Sequence, residues 1–226
     1  MTSSEGHGHR RQVRSYVQRE GRMTPAQRRA LDTLLPGYGV PPGETPLDLD
    51  ALFGRRAPRW LEIGFGNGEC LIETARTHPD RDYLGIEVHR PGIGHLLLAI
   101  DKHEVSNIRI VPGDAAEVLE QQIANRALNG INIFFPDPWP KKRHHKRRLI
   151  QRPFLELLER KLAPGGLLHV ATDWENYALQ IGEVLSARSR LCPADAPPAR
   201  PHTKFEKRGR RLGHEVWEFV FTRLPE

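Results

Sequence analysis

The sequence predicts an α/β protein with a mostly parallel, doubly wound sheet. Short apolar runs alternate with amphipathic helical stretches in the order β-α-β-α-β-α-β-α-β, an alternation typical of a parallel sheet with helices on both faces. The fourth run, which begins at Ile131, is apolar almost without a break, as expected for a strand buried on both sides. Two further runs within 203–223, separated by Gly209 and Gly213, predict a closing antiparallel pair.

The predicted elements follow one another in a regular order. Parallel strands are expected at 59–65, 82–88, 107–111, 131–135 and 167–174. Turn residues bound the stretches between them, and helices are expected at about 70–76, 92–103, 115–127, 153–162 and 176–188. Together with the closing pair, these elements predict a seven-stranded sheet.

The N-terminal part of the chain is organised differently. Residues 1–35 form a basic arm whose first residues lack periodicity, so the arm is expected to be partly disordered. Thr24 followed by Pro25 is a helix start signal and predicts a short helix within the arm. Residues 36–58 are rich in proline and glycine and are interpreted as a linker, which leaves 59–226 as the α/β domain. The arm is either a nucleic-acid arm or a solubilising tail.

The composition favours an anionic partner. The 226 residues include 34 Lys and Arg against 28 Asp and Glu, which gives a net charge of +6 and a pI near 9.6. Clustered positive charge is typical of nucleic-acid binding; a basic protein without a polyanionic ligand is the alternative. Cys70 and Cys192 form no CxxC motif, so we expect a cytoplasmic protein without a disulfide framework or a metal site. Neither a secretory signal nor a membrane-spanning run is expected.

The stretch 131–148, INIFFPDPWPKKRHHKRR, is the most informative part of the sequence. The apolar strand ends in the turn DPWP, and proline cannot continue a central strand because it has no ladder donor. The next eight residues contain six Lys or Arg, two His and no acid. A buried strand thus carries a carboxylate, an aromatic ring and a positive patch to one edge of the sheet, where open α/β folds bind ligands. The alternative is a solvated basic loop after a core strand.

A glycine-rich turn follows the first predicted strand. Gly64, Gly66 and Gly68 are candidate cofactor-binding residues, because glycines let the backbone approach a ligand at the start of a helix. The dinucleotide fingerprint requires a third glycine three residues after the second, but Glu69 occupies that position. A carboxylate there would repel a pyrophosphate, so a dinucleotide is not expected.

Four carboxylates are predicted at or near the carboxyl ends of successive strands: Glu62, Glu87, Asp114 and Asp137. In this topology the second can accept the ribose hydroxyls of a nucleoside, and the third can meet an adenine amino group. Each residue could instead be a helix cap or a turn residue. A ligand surrounded by carboxylates should carry positive charge and hydroxyls, and S-adenosylmethionine fits that description better than NAD does.

Longer motifs give the sequence a family resemblance. They are RSYVQREGRMTPAQ, LEIGFGNGE, GIEVHRPGIG, IRIVPGDA, FFPDPWPKKRHHKRRLIQ and TKFEKRGRRLGHEVWEF. Together they resemble the bacterial tRNA (guanine-N7-)-methyltransferases over roughly residues 13–223, and the fifth and sixth motifs are the most specific. The resemblance implies a Rossmann-like class I fold that uses S-adenosylmethionine and acts on tRNA.

The resemblance also implies roles for individual residues. Asp137 would be the active-site residue, and Glu62, Glu87, Asp114 and Asp137 would bind S-adenosylmethionine. The residues that would bind the substrate are Lys141, Asp173, Thr203, Lys204, Phe205 and Glu206. The loop that contacts RNA would comprise Arg143, His144, His145, Lys146, Arg147 and Arg148.

The implied reaction needs no nucleophilic side chain. Guanine N7 already carries a lone pair, so the enzyme must mainly align N7 with the methyl group, and a carboxylate can stabilise the cationic product. Methylation of an exocyclic adenine amine is an alternative, although enzymes of that type place the aromatic residue of the turn one position later. A non-catalytic RNA-binding protein and a metabolite methyltransferase are further alternatives; the latter would not explain the basic loop. Both a monomer and a homodimer remain open.

Overall fold

Seven strands of the described chain form a single sheet. The computed structural model describes residues 15–16, 21–188, 190–194, 199–201, 206, 211, 213 and 215–225. The strands are β1 Arg59–Ile63, β2 Asp82–Glu87, β3 Ile108–Pro112, β4 Leu128–Phe134, β5 Leu162–Thr172, β6 Leu191–Pro193 and β7 Trp217–Arg223. Their spatial order is β3-β2-β1-β4-β5-β7-β6.

The strand pairing confirms the predicted fold class. The first five strands pair in parallel, and β7 runs antiparallel between β5 and β6. The chain builds outwards from β1 to β3 on one side and then returns to place β4 on the other side of β1. The connections that follow β1 and β4 therefore diverge, which opens a crevice at the carboxyl ends of these two strands.

Eight α-helices are described between and before the strands. Their bounds are α1 Pro25–Thr33, α2 Leu35–Tyr38, α3 Leu49–Phe53, α4 Glu69–Thr77, α5 Arg90–His103, α6 Ala115–Gln122, α7 Arg152–Lys161 and α8 Glu175–Ser186, with a 3-10 helix at Lys142–Arg147. Two apolar clusters cover the two faces of the sheet. Leu61 and Ile63 belong to one cluster and Trp60 to the other, as the alternation of side chains along a strand requires. No described helix has the length and apolarity to span a bilayer.

The predicted boundaries were wrong at the C-terminal end. β7 pairs with β5 and also with β6, and β6 lies before the predicted pair at 203–223. Only three residues form this strand, too few to show an alternating pattern, although Leu191 is buried. The other predicted strand of the pair falls mostly outside the described residues, and Glu206 within it is helical. Strand β5 also begins at Leu162, before the predicted start at 167.

The segment 36–58 is not a free linker, because it packs along the domain. Val40 is buried and its amide donates to the Ile110 carbonyl at 2.7 Å. The segment also contains α3, and the Leu47 amide donates to the Gln122 carbonyl at 2.8 Å. Proline and glycine content marked an irregular backbone correctly, but these long-range hydrogen bonds leave no pattern in the sequence.

One buried carboxylate fixes the end of this segment to the sheet. Asp82, the first residue of β2, has a fully buried side chain. It accepts hydrogen bonds from Arg55 Nε at 2.8 Å and Nη2 at 2.6 Å, and from Arg59 Nη1. Because Arg59 is itself 4% exposed, the pair is a buried ion pair, and removal of one partner leaves an uncompensated charge.

We expect Asp82→Ala to lower the free energy of unfolding by about 3 kcal/mol, because the buried Arg59 would keep only the half-exposed Asp50 as a charged partner. Asp80→Ala is the matched control: Asp80 is exposed and lies 3.9 Å from Arg81, so its loss should cost within about 0.5 kcal/mol. Urea unfolding measures both changes. Equal stability of the two variants would contradict the anchoring role of Asp82.

Candidate active site

The glycine turn lies at the carboxyl end of β1, as predicted. Gly64, Gly66 and Gly68 have φ angles of 70°, 58° and 76°, a left-handed conformation that side chains other than glycine rarely adopt. Gly68 is the N-cap of α4. A Cβ atom at Gly92 would lie 2.1 Å from the Gly66 carbonyl oxygen. The turn therefore packs directly on the start of α5, and its path is fixed from both sides.

Glu87 ends β2, and its carboxylate accepts three backbone amides, one of them from the glycine turn. Its Oε2 accepts from the Gly66 amide at 2.8 Å, and its Oε1 accepts from the amides of Val88 at 2.7 Å and His89 at 2.9 Å. A carboxylate has about four acceptor positions, so these three bonds leave one on Oε2. That remaining position suits a hydroxyl donor such as those of a ribose.

A cavity of about 490 Å³ lies in the crevice between the connections of β1 and β4. Its size is within the range of small-molecule sites. Its wall brings together three residues predicted for the site, Gly64, Glu87 and Asp137. The other lining residues are Ser15, Tyr16, Ile63, Ile86, Val88, His89, Gly113, Ala115, Phe135, Pro136, Pro138, Trp139, Pro140 and Leu149.

Asp137 reaches the cavity on an irregular turn after β4. Phe135 and Trp139, on either side of it, have positive φ angles of 52° and 46°, which are unusual for residues other than glycine. The Phe135 amide donates to the Ala171 carbonyl at 2.8 Å, so the start of the turn is fastened to β5. Asp137 is exposed, whereas Asp173, which follows β5 directly, is half-buried. The two carboxylates therefore follow neighbouring strands at the same edge of the sheet.

Glu62 and Asp114 do not line this cavity. Glu62 lies within β1 and is 4% exposed. Burial raises the pKa of its carboxyl to about 8, with Arg200 opposing the shift and Glu87 adding to it. Asp114 is the N-cap of α6, where it accepts from the Ala116 amide at 2.8 Å, and it faces a second cavity of about 220 Å³. The alternative interpretation as a helix cap therefore describes Asp114 in this structure.

The basic loop forms a 3-10 helix beside the cavity. Lys141 is its N-cap, and Lys141, Lys142, Arg143 and Lys146 are exposed. Partial desolvation, followed by the charges of Arg143 and Arg147, lowers the pKa of His144. The four exposed cations thus present a positive surface directly after the Asp137 turn.

Arg148 does not belong to that positive surface, and its predicted contact with RNA does not fit its position. It is 3% exposed. Its five N–H donors are all used, because they bond to Pro138 O, Asn176 O and Oδ1, Gln180 Oε1 and His145 Nε2 at 2.6–3.4 Å. Arg148 therefore fastens the basic loop to α8 and to the Asp137 turn, a role that its place in a run of cations concealed.

Two residues of the N-terminal arm reach the cavity, which the sequence did not predict. Trp139 Nε1 donates to the Ser15 carbonyl at 3.0 Å, and Arg147 Nη2 donates to the Tyr16 carbonyl at 3.0 Å. The Arg147 guanidinium stacks over the Trp139 ring at 3.9 Å, a cation–π contact. The basic loop and the arm thus hold each other at the mouth of the cavity.

The predicted substrate residues at the C-terminal end are only partly described. Thr203, Lys204 and Phe205 lie outside the described residues. Glu206 is 1% exposed and pairs with Arg200, whose Nη1 lies 2.5 Å from Glu206 Oε2. As described, the cavity wall includes neither Glu206 nor Lys141 nor Asp173. The described residues contain no cluster of His, Cys, Asp and Glu that could hold a metal ion.

Sequence comparison decides the family. The chain is 57% identical to the tRNA (guanine-N(7)-)-methyltransferase of Nitrosococcus oceani over 216 residues, which cover 94% of this chain and 92% of the relative. The chain belongs to the tRNA (guanine-N7-)-methyltransferase family. The family member from Neisseria meningitidis serogroup B is 53% identical, with 96% of this chain and 93% of that relative covered. A family model described as a methyltransferase, Methyltransf_4, matches residues 56–219.

Solved structures with a similar fold are also methyltransferases. The 16S rRNA methyltransferase KamB has a TM-score of 0.58 at 14% identity and covers 80% of this chain and 95% of its own. TrmN from Thermus thermophilus has a TM-score of 0.54 at 20% identity and covers 78% of this chain and 47% of its own. At such identities the likeness concerns the fold alone, and it places this family member among Rossmann-like class I methyltransferases.

We expect Glu62 to make the stability of the protein depend on pH. The pKa of the carboxyl is 4.5 when unfolded and about 8 when folded, so its stabilisation is complete below 4.5 and is lost as the pH rises through about 8. Glu62→Gln should remove this dependence, which amounts to up to about 1.4 kcal/mol per pH unit. Urea unfolding across this window measures it, and Glu44→Gln, at an exposed position, should behave as wild type. A wild-type pH slope in Glu62→Gln would contradict the assignment.

We expect Arg148→Ala to lower the free energy of unfolding by about 3 kcal/mol, because it leaves buried acceptors without a donor. Lys146→Ala, at an exposed position in the same loop, should change it by less than about 0.5 kcal/mol. Thermal or urea unfolding of the two variants provides the comparison. A stable Arg148→Ala variant would show that Arg148 does not fasten the loop.

Proposed function

We propose that this chain transfers the methyl group of S-adenosylmethionine to N7 of a guanine in the variable loop of tRNA. The observation that carries the proposal is the position of Asp137. It stands on the wall of a cavity shared with Gly64 and Glu87, and the exposed cations of the basic loop follow it in the chain. The activity of relatives that share more than half of their residues with this chain, as their names give it, agrees with this arrangement.

The cavity residues fit S-adenosylmethionine. Glu87 keeps one acceptor position after its three backbone bonds, and this position would accept a hydrogen bond from a ribose hydroxyl. Gly64, at the start of the glycine turn, would let the ligand lie close to the backbone. When bound, the cofactor supplies an electrophilic methyl group on a sulfonium. Burial raises the pKa of Glu62, the residue before the cavity-lining Ile63, to about 8, so its contribution would be a hydrogen bond rather than a charge.

Asp137 would bind the reacting guanine and stabilise the charge that develops on it. Guanine N7 attacks with its own lone pair, so the residue does not need to remove a proton from the attacking atom. The ring gains positive charge as the methyl is transferred, and a nearby carboxylate stabilises that charge. A carboxylate can also accept hydrogen bonds from the Watson–Crick edge of guanine, which aligns N7. Asp173, at the end of the neighbouring strand, is placed to assist.

The exposed cations Lys141, Lys142, Arg143 and Lys146 would bind tRNA phosphates. Such contacts release counterions, so the affinity should fall with salt by a log–log slope of roughly 0.7–0.9 for each contact. The guanine has to leave its stack to bring N7 into the cavity. We place the activity in the cytoplasm, in keeping with the cysteine usage of the chain.

Methyl transfer from labelled S-adenosylmethionine to unmodified bulk tRNA, followed by borohydride and aniline treatment, tests the proposal. This chemistry cleaves RNA at 7-methylguanosine, so we expect one cleavage in the variable loop. Incorporated label without cleavage would instead favour an exocyclic amine of adenine as the target. Failure to incorporate label would favour a non-catalytic RNA-binding protein on this fold.

We expect Asp137→Asn to reduce methyl transfer by about a hundredfold or more, because the developing charge on guanine would lose its carboxylate. The dissociation constant for tRNA should stay within about threefold of wild type, since the phosphate contacts remain. Single-turnover transfer and filter binding measure the two quantities. Asp101→Asn, on the exposed face of α5, is the control and should keep full transfer. An active Asp137→Asn variant would remove Asp137 from this role.

A further inference from the structure

Four exposed arginines gather where α1 and α5 begin. They are Arg22, Arg28, Arg29 and Arg90. The first precedes α1, the next two lie on α1, and the last begins α5. Within the part of the chain that the structure describes, none of them has a carboxylate partner. They therefore form a second positive surface, separate in sequence from the basic loop, which we call the α1–α5 surface.

The lack of ion pairs distinguishes this surface from other exposed cations. Arg76 bonds to Glu73 at 2.9 Å and Arg160 bonds to Glu120 at 3.0 Å, so those charges are neutralised within the protein. The first turns of α1 and α5 contain no acid. Asp32, the acid of α1, is exposed and pairs with no arginine of the surface as described. The positive charge of the α1–α5 surface is therefore available to an external anion.

The start of α1 is fixed on the start of α5. Gln27 Nε2 donates to the Pro91 carbonyl at 3.2 Å. A Cβ atom at Gly94 would lie 2.9 Å from Gln27 Cβ, and one at Gly21 would lie 2.7 Å from His89 Nε2. Because the two backbones approach so closely, the arginines that follow these contacts in the chain are held at fixed positions relative to each other.

The cavity lies between the α1–α5 surface and the basic loop. His89 is on the cavity wall and Arg90 is the next residue. Pro140 is also on the cavity wall, and the next residue is Lys141, the first cation of the basic loop. These two connections follow β2 and β4, which are separated in the sheet by β1, a distance of about 10 Å. The two positive surfaces therefore begin on opposite sides of the cavity.

A polyanion that lies across the cavity mouth would meet both surfaces. A nucleic-acid strand is such a ligand, because it carries phosphates on either side of any base that enters the cavity. Arginine suits this role, since its planar fork matches the geometry of a phosphate. A small anionic metabolite could contact one of the surfaces but could not extend across both.

We propose that the α1–α5 surface binds the tRNA backbone on one side of the target guanosine, while the basic loop binds the backbone on its other side. The strand thus crosses the cavity, and the base between the two bound stretches is the one presented to Asp137. The inference rests on the proposed function and adds to it a second contact with the substrate. The arginines position the strand and touch neither the reacting base nor the cofactor.

The test compares two double variants that carry the same net charge. Arg28→Gln/Arg90→Gln removes two charges from the α1–α5 surface. Arg76→Gln/Lys102→Gln is the control, because both of its cations are exposed and lie in the last turns of α4 and α5. These helices return from the carboxyl ends of parallel strands, so their last turns lie at the opposite edge of the sheet. Thermal unfolding establishes the fold of both variants first.

We expect Arg28→Gln/Arg90→Gln to raise the dissociation constant for tRNA by about ten- to fiftyfold at about 0.1 M salt, and to reduce the log–log salt slope by roughly 1.4–1.8, as the loss of two phosphate contacts does. The dissociation constant for S-adenosylmethionine, measured by calorimetry, should stay within about twofold of wild type. The control should keep the tRNA affinity and the salt slope of wild type. Equal losses in the two variants, or wild-type tRNA affinity in Arg28→Gln/Arg90→Gln, would overturn the proposal.

Hydroxyl-radical footprinting locates the contact on the RNA. Wild-type protein should protect two tRNA segments, one on each side of the methylated guanosine. Arg28→Gln/Arg90→Gln should lose one protected segment and keep the other, whereas Lys142→Gln/Lys146→Gln, in the basic loop, should show the reverse. Loss of the same segment in both variants would contradict a strand that crosses the cavity.

The outcomes for the reaction and for the surface are distinguishable. Wild-type protein that protects two tRNA segments but transfers no methyl would refute the proposed function and support the second surface. Wild-type protein that methylates tRNA but protects only the segment bound by the basic loop would refute the second surface alone. Protein that neither binds nor methylates tRNA would refute both.

Discussion

The three amide bonds to the Glu87 carboxylate are the constraint on which the cavity depends. The bond from the Gly66 amide joins the end of β2 to the glycine turn after β1, and the bonds from the Val88 and His89 amides fix the carboxylate in place. Left-handed glycines make the turn possible, and the contact between Gly66 and Gly92 seats it on α5. The opposite wall, which carries Asp137, is fastened separately through Phe135 and Arg148. The crevice is thus held from both sides by groups within the folded core.

The two faces of the sheet differ in the buried polar side chains that they carry. Register places Glu62 beside Asn132 and Asn132 beside His169, so one face carries a row of buried polar side chains across β1, β4 and β5. The other face carries Leu61 and Ile63 in an apolar cluster. Buried polar groups need partners, and Glu218 provides one for His169. Trp60 belongs to a second apolar cluster on the face of Glu62, so both faces supply apolar packing, and the polar row ties the core to the residues that surround the site.

The sequence predicted those features that depend on local pattern. The parallel sheet, the glycine turn and the placement of Asp137 after a buried strand all follow from short-range composition. Arg148 could not be predicted, because a run of six cations does not reveal which one turns inward to α8. Arg200 and β6 were missed for a similar reason: Arg200 pairs with Glu218 on β7, and β6 pairs with β7, which follows a long segment without a periodic pattern. In each case the deciding contact is distant in sequence.

The segment 36–58 has a consequence for how the protein behaves among its own copies. Strand β3 is one edge of the sheet, and an edge strand offers unpaired backbone groups to other chains. Gly39 bridges Ile110 on this edge, and the Val40 amide bonds to the Ile110 carbonyl. At the opposite edge, β6 is three residues long and ends in proline. Both edges are thereby blunted against strand-to-strand aggregation.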